Sequence, residues 1–231
     1  MVAPGAGGEL VRAVELGIGH DLPVCPPVTF AVRPGDAVAV VGANGAGKST
    51  LLRTVVGLLD PLAGQLQVLG RDVDERSVEF RAAVAADLGD DAFFPALTAR
   101  EHLLLTCCGH GVGEPAEVVD ALLEEFGLTA RAEALPAALS SGQRRRLLLA
   151  AALARPRSLL VLDEPEQRLD AGMRRALIRR LVEEREIGGA VLLATHDPAV
   201  VLGAATCGLL ITEGSAEVVE PDAAAAAIEA L

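Results

Sequence analysis

The sequence predicts an α/β fold with a mainly parallel, doubly wound sheet. An N-terminal antiparallel β region precedes that sheet, and a helical lobe is inserted within it. Three observations carry the expectation. The runs Ala37–Val41, Leu159–Leu162 and Ala190–Ala194 are continuously apolar, as strands buried on both faces are. Each run ends in residues suited to ligand chemistry: a Gly-rich loop, Asp163-Glu164-Pro165, and Thr195-His196-Asp197-Pro198. Helical periodicity fills much of the chain between them.

The elements follow in order. Short apolar stretches broken by Gly and Pro (VRAVELGIG, then VTFAV) read as strands joined by turns. After the run at Ala37, Ser49–Leu59 reads as a helix that Asp60-Pro61 stops. Gly64–Gly70 alternates like a strand. From about Arg76 to Leu153 helical periodicity dominates, in LTAREHLLLTCC, PAEVVDALLEEFGL and GQRRRLLLAAALA. A helix is expected over about Gly172–Arg185, and a frayed Ala-rich helix over Pro221–Leu231. One domain is expected over residues 8–215, with a core of about 8–80 and 150–215 and a helical lobe of about 85–149. Residues 216–231 form a short tail.

Composition narrows the function. The chain has 231 residues, enough for a full core without disulfides or a structural metal. Its net charge of −12 argues against gripping nucleic acid phosphates, so no nucleic acid partner is expected. The four cysteines have no CxxC spacing and read as free thiols in a reducing compartment. No signal peptide is expected. The longest mostly apolar run, Ala199–Ile211, falls short of the roughly 20 residues of a membrane span.

Gly42-Ala43-Asn44-Gly45-Ala46-Gly47-Lys48-Ser49 fits the phosphate-binding pattern G-x-x-x-x-G-K-[ST] and is followed by Thr50. Its glycines let successive N–H groups point inward at phosphate oxygens, and the following helix adds the positive end of its dipole. Lys48 is placed to reach the β- and γ-phosphates, and Ser49 to ligate magnesium. Of the 20 basic residues Lys48 is the only lysine, at the one place where a compact charge on a long stem is chemically wanted. Asp163, ending an apolar strand, can hold a magnesium ion directly or through water. Glu164 is then placed to polarise an attacking water. His196 reads either as a γ-phosphate or water contact or as a structural histidine. His20, His102 and His110 read as structural or solvated.

These segments, with Leu139-Ser140-Ser141-Gly142-Gln143 just before the acidic pair, occur in an order that resembles the ATP-binding subunit of an ABC transporter. The resemblance covers nearly the whole chain. Leu139–Gln143 is similar to the family's LSGGQ signature, with Ser141 standing in for one glycine. It implies a P-loop NTPase core, ATP and Mg2+ as ligands, and ATP hydrolysis that powers a separate transmembrane permease. It also implies two copies meeting head to tail, so that Ser140, Ser141, Gly142 and Gln143 cap the nucleotide of the partner. Asp170 resembles the loop that crosses this interface. Asp163 would help hold magnesium, Glu164 would be the general base and His196 the switch histidine. The expected location is cytoplasmic, at the inner face of the membrane through the permease. A non-transport ATPase of the same type, or an ATP-binding regulatory cassette with weak turnover, is the alternative.

The chain departs from the family in two places. It has no Tyr or Trp to stack on adenine; His20 falls at about the right position, and the alternatives are Ile18 or no stacking residue at all. The stretch Asp87–Pro95 lacks the family's glutamine, which Asp90 or Asp91 would replace. Phe93 and Phe94 read either as core or as a groove for a helix of the permease. Arg144, Arg145 and Arg146 read as a solvated or nucleotide-facing patch.

Overall fold

The computed structural model describes residues 8–90 and 92–231. The chain opens with β1 (Val11–Gly17), β2 (Val28–Val32) and β3 (Ala37–Gly42), then α1 (Lys48–Val55), β4 (Ala63–Val68) and the short β5 (Arg71–Asp72). Next come α2 (Val78–Ala83), β6 (Val84–Asp87), α3 (Ala99–Gly109), α4 (Pro115–Glu125) and α5 (Ser141–Ala154). The remainder is β7 (Leu159–Asp163), α6 (Ala171–Glu186), β8 (Ala190–Ala194), α7 (Pro198–Ala204), β9 (Cys207–Ile211), β10 (Ala216–Val219) and α8 (Pro221–Glu229).

Two sheets form. An antiparallel one has the order β2-β1-β4-β5, and a six-stranded one the order β10-β9-β3-β8-β7-β6. The second is parallel throughout except for β10, which pairs antiparallel with β9. Strand alternation divides its side chains between two layers. Val38, Val40, Leu159, Val161 and Leu192 pack with α1 and the antiparallel sheet. Ala39, Val41, Leu160, Leu162 and Leu193 pack against the helices on the other face.

Three expectations need correction. The first helix ends at Val55, before Asp60-Pro61. Gly57 takes φ 81, its N–H donates to Thr54 O at 3.1 Å, and Leu58 N–H donates to Arg53 O at 2.9 Å. This left-handed glycine closure satisfies the last carbonyls and turns the chain away. Second, the helical run read from Arg76 is interrupted by β6, which joins the sheet edge with Val84 opposite Leu159 and Asp87 opposite Leu162. Third, the Ala-rich tail is a packed helix. Ala224 and Ala225 are buried, and a Cβ placed on Gly208 of β9 would lie 2.4 Å from the Ala224 Cβ. Glycine lets α8 press directly onto that strand. Among the described residues no helix is long and apolar enough to cross a membrane; the run at Ala199 divides into α7 and β9.

Candidate active site

Because β8 lies between β3 and β7, the C-terminal ends of three adjacent parallel strands meet at one edge. The loop Gly42–Gly47 leaves β3 there. Gly42 has φ 154, and a Cβ on it would stand 2.4 Å from Ile211 O, so no other residue fits the close passage beside β9. Gly47, at φ 96, caps α1 without a side-chain hydrogen bond, and no acidic residue stands in the first turn. The positive end of α1 is therefore uncompensated by its own side chains. Lys48 is buried, and its Nζ donates to Gly42 O at 2.9 Å and Ala43 O at 3.0 Å. Burial lowers its pKa, while Glu164 and Asp163 act in the opposite sense. Asn44 and Gly45 lie exposed at the loop tip; Ala46 and Thr50 are half-buried.

Asp163 ends β7. Burial pushes its carboxyl upward, and a hydrogen bond with the Ser49 hydroxyl pulls it back. Its Oδ1 is buried with no hydrogen-bond partner. An orphaned carboxylate oxygen beside a hydroxyl is the donor chemistry that Mg2+ takes. Among the described residues no group of three or more His, Cys, Asp or Glu is placed to hold a metal by itself. Mg2+ here would share its coordination with phosphate oxygens and water.

Glu164 follows at φ 45, in the left-handed region that a non-glycine residue rarely adopts. Its N–H donates to Ala194 O at 2.9 Å, which ties the turn after β7 to the end of β8. Its Oε1 stands 3.6 Å from His196 Nε2. Asn44, Glu164, Gln167 and His196 line one cavity of about 570 Å3. Ser49, Gly89, Arg145, Asp163 and Glu164 line another of about 220 Å3.

The other expected residues are placed as follows. Ser140 caps α5, its Oγ accepting from Gln143 N–H at 3.2 Å while Gln143 Oε1 accepts from Ser140 N–H at 2.8 Å. Ser140 and Ser141 are exposed, and neither cavity includes them. Asp170 caps α6 by accepting from Met173 N–H at 2.9 Å, which holds its carboxyl below the usual range. His20 is exposed beside the Gly19–Pro23 bridge. The side chains nearest a Cβ built on Gly47 are those of Val24, Ile18 and Cys25. Asp90 forms an exposed ion pair with Arg53 at 3.1 Å, and Asp91 lies outside the described residues. Phe94 is largely exposed and Phe93 packs edge-on to His102.

The arginine patch needs the largest correction. Arg145 is 6% exposed. Its Nη1 donates to Asp87 Oδ1 and Oδ2 at 3.0 and 2.8 Å, and its Nη2 to Asp163 O and Glu164 O at 2.9 and 3.0 Å. Arg146 donates to Phe126 O at 3.1 Å and Arg144 to Leu139 O at 3.0 Å. A signal for Arg145 exists in the sequence: it stands four and eight residues before Leu149 and Leu153, on the apolar stripe of α5. Glu166 was also missed. It is buried, and its Oε1 accepts from Thr195 Oγ1 at 2.6 Å and from His196 N–H at 3.1 Å.

Comparison with known proteins agrees with this geometry. Residues 25–167 match the family model described as ABC transporter. The chain is 38% identical over 194 residues to a thiamine import ATP-binding protein, ThiQ, of Cereibacter sphaeroides, covering 82% of this chain and 83% of that one. It is 38% identical over 170 residues to a cytochrome c biogenesis ATP-binding export protein, CcmA, of Bordetella parapertussis, covering 74% and 76%. A solved ATP-binding subunit of an ABC transporter superposes with a TM-score of 0.83 at 30% identity, covering 93% of this chain and 91% of that one. A phosphate loop, an acidic strand end and a histidine strand end on adjacent strands, in a chain this similar to those proteins, lead to one conclusion: the chain belongs to the ABC transporter family, as an ATP-binding and ATP-hydrolysing subunit.

Proposed function

We propose that the chain hydrolyses Mg2+-ATP between two copies of itself arranged head to tail, and that this drives a separate transmembrane permease at the inner face of the membrane. The observation that carries the reading is the meeting of Lys48, Asp163-Glu164 and His196 at the ends of β3, β7 and β8.

Gly42, Asn44, Gly45, Ala46, Gly47 and Thr50 surround the phosphates with backbone N–H groups and the start of α1, and Lys48 pairs with the β- and γ-phosphates. Ser49 and Asp163 would hold Mg2+, which would supply neutralisation of phosphate charge. Glu164 takes a proton from the attacking water as its oxygen bonds the γ-phosphorus and the bond to ADP breaks. His196, 3.6 Å from Glu164, orients that water. Ser140–Gln143 suit a role in trans: the N–H groups of Ser141 and Gly142 have no intrahelical acceptor and stand at an exposed helix start. Asp170 holds the first turn of α6 at the same interface. His20 is the candidate for the adenine side. A helix of the permease would dock at the cavity of about 710 Å3 lined by Phe94, Leu58, Phe80 and Leu105. Asp90 stands at its edge.

Light scattering on Glu164→Gln with and without Mg2+-ATP tests this reading. ATP should convert monomer to dimer, because binding persists while turnover stops. A Glu164→Gln chain that hydrolyses ATP at the wild-type rate overturns the assignment of the base.

A further inference from the structure

We infer that Arg145, held in turn by Asp87, is a positioning residue for ATP hydrolysis, and that it acts by fixing the backbone that presents Asp163 and Glu164. This rests on the reading of Glu164 as the base.

The guanidinium spends its two ends differently. One nitrogen closes on both oxygens of Asp87, the last residue of β6. The other donates to two consecutive carbonyls, those of Asp163 and Glu164. The planar fork of arginine can span a carboxylate and a carbonyl pair at once; the single ammonium of lysine cannot hold both in that geometry. The turn it grips is the one that needs gripping. Glu164 sits at φ 45, a conformation that a side-chain-bearing residue keeps only when its surroundings impose it. Its N–H is fixed by Ala194 O, and its carbonyl receives both Arg145 and the Gln167 N–H at 3.1 Å. Without Arg145, Asp163 O loses this donor, Glu164 O loses one of its two, and the peptide linking them can relax.

Stability alone is a weak reason for such a pair, because desolvation offsets most of the attraction between buried charges. A purely structural arginine also has no need to divide its donors between Asp87 and the two residues proposed to carry the chemistry. Arg145 stands on the helix that begins with Ser141, and Asp87 opens the stretch Leu88–Pro95, so one side chain joins both segments to the strand end.

The test uses the full chain with Arg145→Gln, Arg145→Lys, Asp87→Asn and Glu164→Gln, measuring steady-state kcat and KM, binding of a fluorescent ATP analogue, and thermal unfolding. Arg145→Gln should lower kcat by about 10- to 100-fold while nucleotide affinity changes by less than about threefold. Asp87→Asn leaves the carbonyl bonds in place and should lower kcat less, by about threefold, again without loss of binding. Arg145→Lys should recover part of the loss. The decisive comparison is Arg145→Gln made in Glu164→Gln. If Arg145 acts through the turn that carries Asp163 and Glu164, its loss should cost a clearly smaller factor in Glu164→Gln than in the wild-type chain. The same fold-loss in both backgrounds, or Arg145→Gln and Asp87→Asn proteins with wild-type kcat, or a parallel loss of kcat and binding in Asp87→Asn, would overturn the inference. A wild-type rate in Glu164→Gln alone would instead fault the base on which it rests.

Discussion

Glu166 Oε1 joins Thr195 and His196 through one oxygen, accepting the Thr195 hydroxyl at 2.6 Å and the His196 N–H at 3.1 Å, while Oε2 is buried without a partner. A carboxyl from the turn after β7 thus holds the turn after β8. Burial pushes it above the usual glutamate range, and its two hydrogen bonds oppose this. The folded state therefore holds the proton more tightly than the unfolded chain does. Stability is fully present below the ordinary glutamate pKa and falls as pH rises through the elevated one. Glu166→Gln keeps the acceptor oxygen without the charge, so its melting temperature should vary less across that interval. Asp87 and Asp163 are pushed the same way in both proteins and cancel in the comparison. Identical slopes for the two melting-temperature curves would refute the claim.

Lys48→Ala should reduce ATP affinity at least tenfold, read by displacement of a fluorescent nucleotide. The lysine gives two hydrogen bonds to carbonyls of its own loop. Net values for such bonds are about 1 kcal/mol each, so unfolding in urea should move by roughly 2 kcal/mol or less. A larger loss with ATP binding intact would make Lys48 a structural residue.

At the opposite end of β7, Arg157 and Glu184 form an ion pair with both side chains under 10% exposed. Removing one partner strands the other charge. Arg157→Met should cost about 3–5 kcal/mol in urea, and adding Glu184→Leu should recover most of it. Equal stability of the single and double variants would show that the stranded carboxylate finds water.

Gly208→Val should lever α8 off the sheet, since a Cβ there would meet the Ala224 Cβ at 2.4 Å. The displaced helix should become cleavable near Glu220 in limited proteolysis, while the rest of the chain stays resistant. An unchanged cleavage pattern would mean that α8 shifts and repacks.

Much of this molecule is written locally, and that part could be read. The phosphate loop is contiguous, and the strands at Ala37, Leu159 and Ala190 announce themselves because burial on both faces forbids polar residues. Lys48 was legible from that loop, and Asp163, Glu164 and His196 from their places at or just past the ends of those strands. What could not be read depends on distant partners. Strand β6 is four residues long, two of them alanine, and follows α2 with no turn between, so only β7 beside it makes it a strand. Arg145 is flanked by arginines, which disguises it as surface; its partner is 58 residues away. Glu166 looks like an ordinary acid in a polar loop until Thr195 is brought beside it, 29 residues on.

The sheet order has a consequence for synthesis. Strand β3 is buried along its whole length and pairs with β8 and β9, which begin at Ala190 and Cys207. A ribosome making this chain releases an unbroken apolar ribbon about 150 residues before either neighbour exists. During that interval both of its edges are open to any other extended segment. Even the loop that follows it cannot take its working shape, since Gly42 is fitted against Ile211. The nucleotide pocket is begun early in translation and closed only once β9 has been made.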